Sequence, residues 1–121
     1  MRVELDLLVG VALETGADLI IEILAPSPYK RRLMFVDKSF LDIYLSASAN
    51  GLYAFHFERR HLNGEIFRID NYPHHRILKL KSFPHHFHAK QDERVQESAF
   101  GTKPEEILSN FLVFIRERFY K

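Results

Sequence analysis

The chain has 121 residues, 46% of them apolar, with eleven Phe and five Tyr, so it is built to bury a core and is not a disordered polymer. It contains no cysteine, which excludes disulfides and thiolate metal sites, and its 17 basic against 16 acidic residues argue against a general nucleic-acid coat protein. No apolar run is long enough to cross a membrane and no signal peptide is visible, so a single domain over residues 1–121 in the cytoplasm is expected.

Val3 to Thr15 reads as a helix, because Leu5, Leu8, Val9 and Ala12 recur at helical spacing, and Gly16 is a natural stop. Leu19 to Leu24 reads as a strand, which Ala25-Pro26-Ser27-Pro28 then breaks. Arg31 to Val36 and Phe40 to Ala47 read as two strands around a turn at Asp37-Lys38-Ser39, with Met34, Val36, Leu41, Ile43 and Leu45 expected on one face. Tyr53 to Arg60 and Glu65 to Asp70 form a hairpin. A three-residue loop, Leu62-Asn63-Gly64 with Gly64 left-handed, sets Phe57 opposite Ile69 and Arg59 opposite Phe67. On the reverse face it pairs Glu58 with Arg68 and His56 with Asp70, which favours it over a two-residue loop. One face is then apolar (Phe55, Phe57, Phe67, Ile69) and the other charged (His56, Glu58, Arg60, Arg68, Asp70). Arg94 to Phe100 holds a last short strand. A final helix opens at Pro104, with Thr102 and Glu105 at capping-box spacing, and carries an apolar face from Ile107 to Ile115. The expected fold is α+β: a curved antiparallel sheet of about five to seven strands, with an N-terminal and a C-terminal helix packed on it.

Five of the seven histidines lie between Asp70 and Lys90, in two Pro-His-His triplets eleven residues apart. In an extended segment His86 and His88 share one face, while His85 and Phe87 share the other. Two imidazoles so placed suit a divalent transition metal such as zinc, with His74, His75 or Asp70 as a third ligand. They equally suit metal-free acid–base chemistry, since imidazole titrates near neutrality. Cleavage of RNA needs a base, an acid and cations at the phosphate. His74, His75, His85, His86, His88 and Asp70 are the candidates for the chemistry, and Arg60, Arg68 and Lys90 for the phosphate. His56, Glu58 and Asn71 are candidates for orienting the site. The plainer alternative is turn chemistry around Pro73 and Pro84.

The run Arg68-x-Asp70-Asn71, then Pro73-His74-His75, then Phe83-Pro84-His85-His86-x-His88, with Ser98 beyond it, resembles the TumE-like family of toxin–antitoxin modules over roughly residues 31 to 115. Two positions depart from the pattern: Tyr72 stands where a small residue is usual, and Lys38 where a turn glycine is usual. The resemblance implies a toxin with a small helix-turn-helix antitoxin as partner. An endoribonuclease with RNA as substrate is the functional expectation; the sequence leaves room for a homodimer. The alternative is a non-catalytic metal-binding or protein-interaction module.

Overall fold

The computed structural model describes residues 2–46, 51–73, 79–89 and 95–121. Helix α1 (Arg2–Gly16) is followed by strands β1 (Ile20–Ser27), β2 (Lys30–Phe35), β3 (Phe40–Leu45) and β4 (Tyr53–Arg59). A single helical turn, α2 (Arg60–Asn63), leads into β5 (Glu65–Asp70), and β6 (His86–Ala89), β7 (Val95–Glu97) and helix α3 (Pro104–Phe119) complete the chain. The strands form one antiparallel sheet in chain order, β1 to β7. The fold is thus α+β, as expected. No helix among the described residues is long and apolar enough to cross a membrane.

Both helices cover the same side of the sheet. Leu5, Leu8 and Ala12 of α1 and Ile107, Leu108, Phe111 and Ile115 of α3 form one buried cluster with Leu33, Phe35, Leu41, Ile43, Phe55, Phe57, Phe67, Ile69 and Phe87 of the strands. Alternation along each strand sends the intervening residues to the uncovered side, and this is where the polar side chains collect.

Three local expectations are corrected. Ala25-Pro26-Ser27 does not break β1 but belongs to it. β1 is an edge strand, so the missing N–H of Pro26 removes no bond that the sheet needs, and register shifts absorb the misfit. Met34 and Val36 do not share the face of Leu41 and Ile43; Leu33 and Phe35 do, with Leu33 opposite Leu41. Val36 lies in the turn rather than the strand. The Phe35 N–H donates to Ser39 O (2.8 Å) and the Lys38 N–H to Phe35 O (3.0 Å), and Lys38 takes φ 71°, the conformation usually given to glycine. Finally, no Thr102–Glu105 capping box forms. Lys103 is the N-cap, and the Thr102 N–H donates to Glu106 Oε1 (3.0 Å) instead.

The β4–β5 hairpin also departs in register. Phe57 pairs with Phe67 and Phe55 with Ile69, because residues Arg60–Asn63 wind into a helical turn closed by Gly64 at φ 79°. The pairing moves by two residues from the expected one. Two residues is one full period of a strand, so the apolar and charged faces are unchanged. The cross-strand partners do change: His56 stands opposite Arg68, Glu58 opposite Ile66 and Asp70 opposite Ala54.

Asp37 ties the β2–β3 turn to the end of α3. Its Oδ1 accepts from the Ser39 N–H (3.1 Å), and its Oδ2 accepts from Arg59 Nη1 (2.6 Å) and Tyr120 OH (2.8 Å). Burial pushes the carboxyl up, but bonds from Ser39, Tyr120 and Arg59 outweigh it and hold the group at about 2. A depressed carboxyl stabilises the fold above its ordinary pKa of 3.8, and that contribution is lost as pH falls towards about 2. Asp37→Asn is therefore expected to cost about 1.5–3 kcal/mol near neutrality, the worth of bonds to a charged group. Thermal melts should show the gap between the two proteins closing as pH falls from about 4 towards about 2, over which the parent's stabilisation by the charge is lost.

Candidate functional site: the open face of the sheet

The uncovered face is organised by cross-strand rungs. One rung runs Arg32 (β2), Asp42 (β3), His56 (β4), Arg68 (β5), His88 (β6). The next runs Lys30, Tyr44, Ala54, Asp70, His86, Glu97. Each member faces the same side because residues directly opposite in antiparallel strands share a face.

Most charges on this face are fixed by partners. Arg32 grips Asp42 with two bonds, Nε to Oδ1 at 2.7 Å and Nη2 to Oδ2 at 2.9 Å, and its guanidinium lies 4.0 Å from the Phe40 ring centroid. Arg60 holds Glu58 through Nε (2.8 Å), Nη2 (2.8 Å) and its own backbone N–H (3.0 Å). Those Arg60 bonds, against the opposing effect of burial and with His56 adding to them, keep Glu58 at about 2. His56 Nε2 lies 3.1 Å from Glu58 Oε1. A carboxylate only accepts, so Nε2 carries the hydrogen and Nδ1 is left as the basic nitrogen. A depression of about 500 Å³ opens here, lined by Lys30, Arg32, Arg60 and Arg68 as cations, Asp42 and Glu58 as anions, and His56, Tyr44 and Tyr72 among the remainder. Four cations against two carboxylates make it attractive to phosphate. Burial and the hydrogen bond that the Tyr72 hydroxyl makes with Tyr44 push the Tyr72 phenol up to about 12, so it stays protonated.

Beside the depression three groups converge around Arg68: Asp70 two residues along β5, and His86 and His88 on β6, across Arg68 from His56. His86 Nε2 lies 2.9 Å from Asp70 Oδ1, and His88 Nε2 lies 3.9 Å from Asp70 Oδ2. One ligand atom from each of Asp70, His86 and His88 fits within 4.8 Å of the others. Asp70 is further held by Arg68 Nε at 2.8 Å and by the Tyr72 N–H at 3.0 Å. Burial would raise its carboxyl, but His86 and Arg68 pull it below the ordinary value. His86 is 1% exposed. Its Nδ1 lies 3.0 Å from the Pro84 carbonyl, which only accepts, so Nδ1 carries a hydrogen. Burial disfavours the charged ring, yet the bonds to Asp70 and Pro84 prevail and raise its pKa.

The structure separates the histidines that the sequence grouped. His86 and His88 share the open face with Asp70, as strand alternation required. His85 lies apart, its Nδ1 2.9 Å from the hydroxyl of Tyr53, which is buried in the core. Burial and the neighbouring His86 lower the pKa of His85. Asn71 sits at the mouth of β4, its Oδ1 accepting from the Tyr53 N–H (2.9 Å) and its Nδ2 donating to Gly51 O (2.6 Å). His74, His75 and Lys90 lie outside the described residues. Lys30, Arg32, Asp42, Tyr44 and Tyr72 were not among the sequence candidates. The signal for Arg32, Asp42 and Tyr44 was available: they alternate with Leu33, Leu41 and Ile43, which face the core.

A family model described as Toxin TumE matches residues 15–119. No curated protein and no solved structure gives a significant match. The matched span includes all seven strands, all of α3 and every residue of the open face described above. The chain belongs to the TumE toxin family.

Proposed function

We propose that the protein is the toxin of a toxin–antitoxin pair and acts by cleaving RNA on the open face of its sheet, with a small helix-turn-helix antitoxin as its partner in the cytoplasm. Membership of a toxin family implies an antitoxin; the RNA substrate and the antitoxin's type are our reading. The observation that carries it is the rung on which Arg68 stands between His56 and His88, with Asp70 and His86 on the next rung beside it. Adjacent strands are about 4.8 Å apart, so His56 and His88 flank Arg68 at a backbone separation of about 10 Å. A phosphodiester held by Arg68 would then have a base on one side and the His/Asp cluster on the other.

His56 Nδ1 takes the proton of the ribose 2′-hydroxyl, with Glu58 holding the ring and favouring the imidazolium that forms. The 2′-oxygen attacks phosphorus, the bond from phosphorus to the 5′-oxygen breaks, that oxygen takes a proton from water, and the hydroxide left behind takes the proton held by His56, which returns the base to its neutral form. Arg68 neutralises the non-bridging oxygens. The products are a 2′,3′-cyclic phosphate and a 5′-hydroxyl. Purified, antitoxin-free and folded protein incubated with RNA is expected to give fragments with these ends. Intact RNA, both with and without added divalent metal, would overturn the reading. So would 5′-phosphate ends, which require water and not the 2′-oxygen as nucleophile.

A further inference from the structure

We propose that Asp70, His86 and His88 form a binding site for one divalent transition metal ion, of the zinc or cobalt(II) class. Its catalytic role rests on the cleavage reading above, but binding itself does not.

The geometry points to an ion in three ways. First, the donors are close to the right spacing. Bonds of about 2.1 Å around a tetrahedral ion place ligand atoms about 3.4 Å apart; here one ligand atom from each of Asp70, His86 and His88 lies within 4.8 Å of the others, with His86 Nε2 2.9 Å from Asp70 Oδ1 and His88 Nε2 3.9 Å from Asp70 Oδ2. Second, the tautomer of His86 is set for ligation. With Nδ1–H committed to the Pro84 carbonyl, the ligating lone pair of a neutral ring is on Nε2, which faces Asp70 Oδ1 at 2.9 Å. Two lone pairs at that distance require a positive charge between them, either a proton or a metal ion. An Nδ1–H donated to a backbone carbonyl is also the usual outer support of a metal-bound histidine. Third, the carboxylate is anchored from outside. Arg68 Nε holds Oδ2 and the Tyr72 N–H holds Oδ1, so Asp70 keeps its orientation whether or not an ion is present.

Two neutral imidazoles and one carboxylate select borderline divalent ions. The set lacks the oxygen-rich shell that calcium or magnesium needs. Arg68 and Lys30 supply positive charge nearby, so the ion gains no general electrostatic attraction from this face, and its binding depends on direct ligation. In the cleavage reaction a cation here lies across Arg68 from His56, where charge develops on the departing 5′-oxygen.

The test is a Co²⁺ titration of the full chain after chelator treatment, read by visible absorption, followed by Zn²⁺ competition. One equivalent of Co²⁺ is expected to bind with ligand-field bands and to be displaced by Zn²⁺. Asp70→Asn and His88→Ala should each weaken binding by more than the roughly 10–100-fold that loss of an outer-shell partner costs. His88 is the informative variant, because its side chain is 24% exposed and its loss leaves no large cavity, whereas removal of buried His86 threatens folding. His61→Ala, on the exposed α2 turn, should bind as the parent does. Absence of saturable binding, or affinity unchanged in Asp70→Asn and His88→Ala, or an equal loss in His61→Ala, would each overturn the site. The two proposals fail separately. Binding without RNA cleavage leaves the metal site standing and removes the ribonuclease; undiminished cleavage by protein that binds no Co²⁺ does the reverse.

Discussion

Replacing His56 with alanine is expected to lower the proposed RNA cleavage by about 10²–10⁴-fold, the range lost when a positioned general base is removed. Three features support that expectation. Among the described residues His56 is the only histidine lining the depression, it stands opposite Arg68, and Glu58 fixes which of its nitrogens is basic. The fold should survive, because the side chain is 22% exposed and lies on the uncovered face of the sheet. His56→Gln is the companion variant: it retains a bond to Glu58 but cannot take a proton near neutrality, so it should be as inactive as the alanine. Single-turnover cleavage rates on a defined oligoribonucleotide measure both. Activity within a few-fold of the parent in either would remove His56 from the chemistry, while leaving Arg68 and the Asp70 cluster to be tested in the same way.

A second large effect is expected in the core and not at the site. Phe67 is 1% exposed and stands at the crossing of the sheet with α3. Its ring centroid lies 5.2 Å from Phe114, 5.8 Å from Phe119 and 6.1 Å from Phe87, and the Arg118 guanidinium lies 5.3 Å from it. Phe67→Ala removes the ring that joins β5 and β6 to the last helix, and these three phenyl groups are too rigid to fill the space. A loss of about 3–5 kcal/mol follows, a large share of the 5–15 kcal/mol that holds a typical domain together. Urea titration should show the midpoint falling with the slope nearly unchanged. A loss under 1 kcal/mol would mean that α3 does not depend on this contact. The same substitution would also lower activity, since β5 carries Arg68 and Asp70 on its other face, so stability must be measured before any loss of cleavage is assigned to chemistry.

The faces of the central strands were legible before the structure, while the partners across them were not. Phe55, Phe57, Phe67 and Ile69 alternate with His56, Glu58, Arg68 and Asp70, and a strand period of two makes that partition robust to any even shift in register. The shift that occurs is two residues, because Arg60 to Asn63 wind into a turn of helix where a short loop was expected. Sequence therefore assigned His56 and Asp70 to the same face correctly but to the wrong mutual contact. The β2 face failed for a related reason. Whether Leu33 or Met34 faces the core depends on Lys38 adopting a left-handed backbone, which its side chain does not announce. His86 and His88 separated from His85 as alternation required. Arg32 escaped notice because the expected β2 faces put Met34, and Arg32 with it, towards the core, whereas Asp42 could have been found from its alternation with Leu41 and Ile43. The TumE toxin resemblance read from the histidine motifs agrees with the match over residues 15–119.

The most direct test of the open face is nuclear magnetic resonance with a non-cleavable ligand. An oligonucleotide whose 2′-hydroxyls are replaced by hydrogen presents the same phosphates but lacks the nucleophile. Titrated into isotopically labelled protein at low salt, it should shift the His56 imidazole and Arg68 guanidinium resonances together with backbone amides of β3 to β6, and the shifts should fade as salt rises. Shifts confined to α1 and α3 on the covered side, with His56 and Arg68 unmoved, would contradict the account.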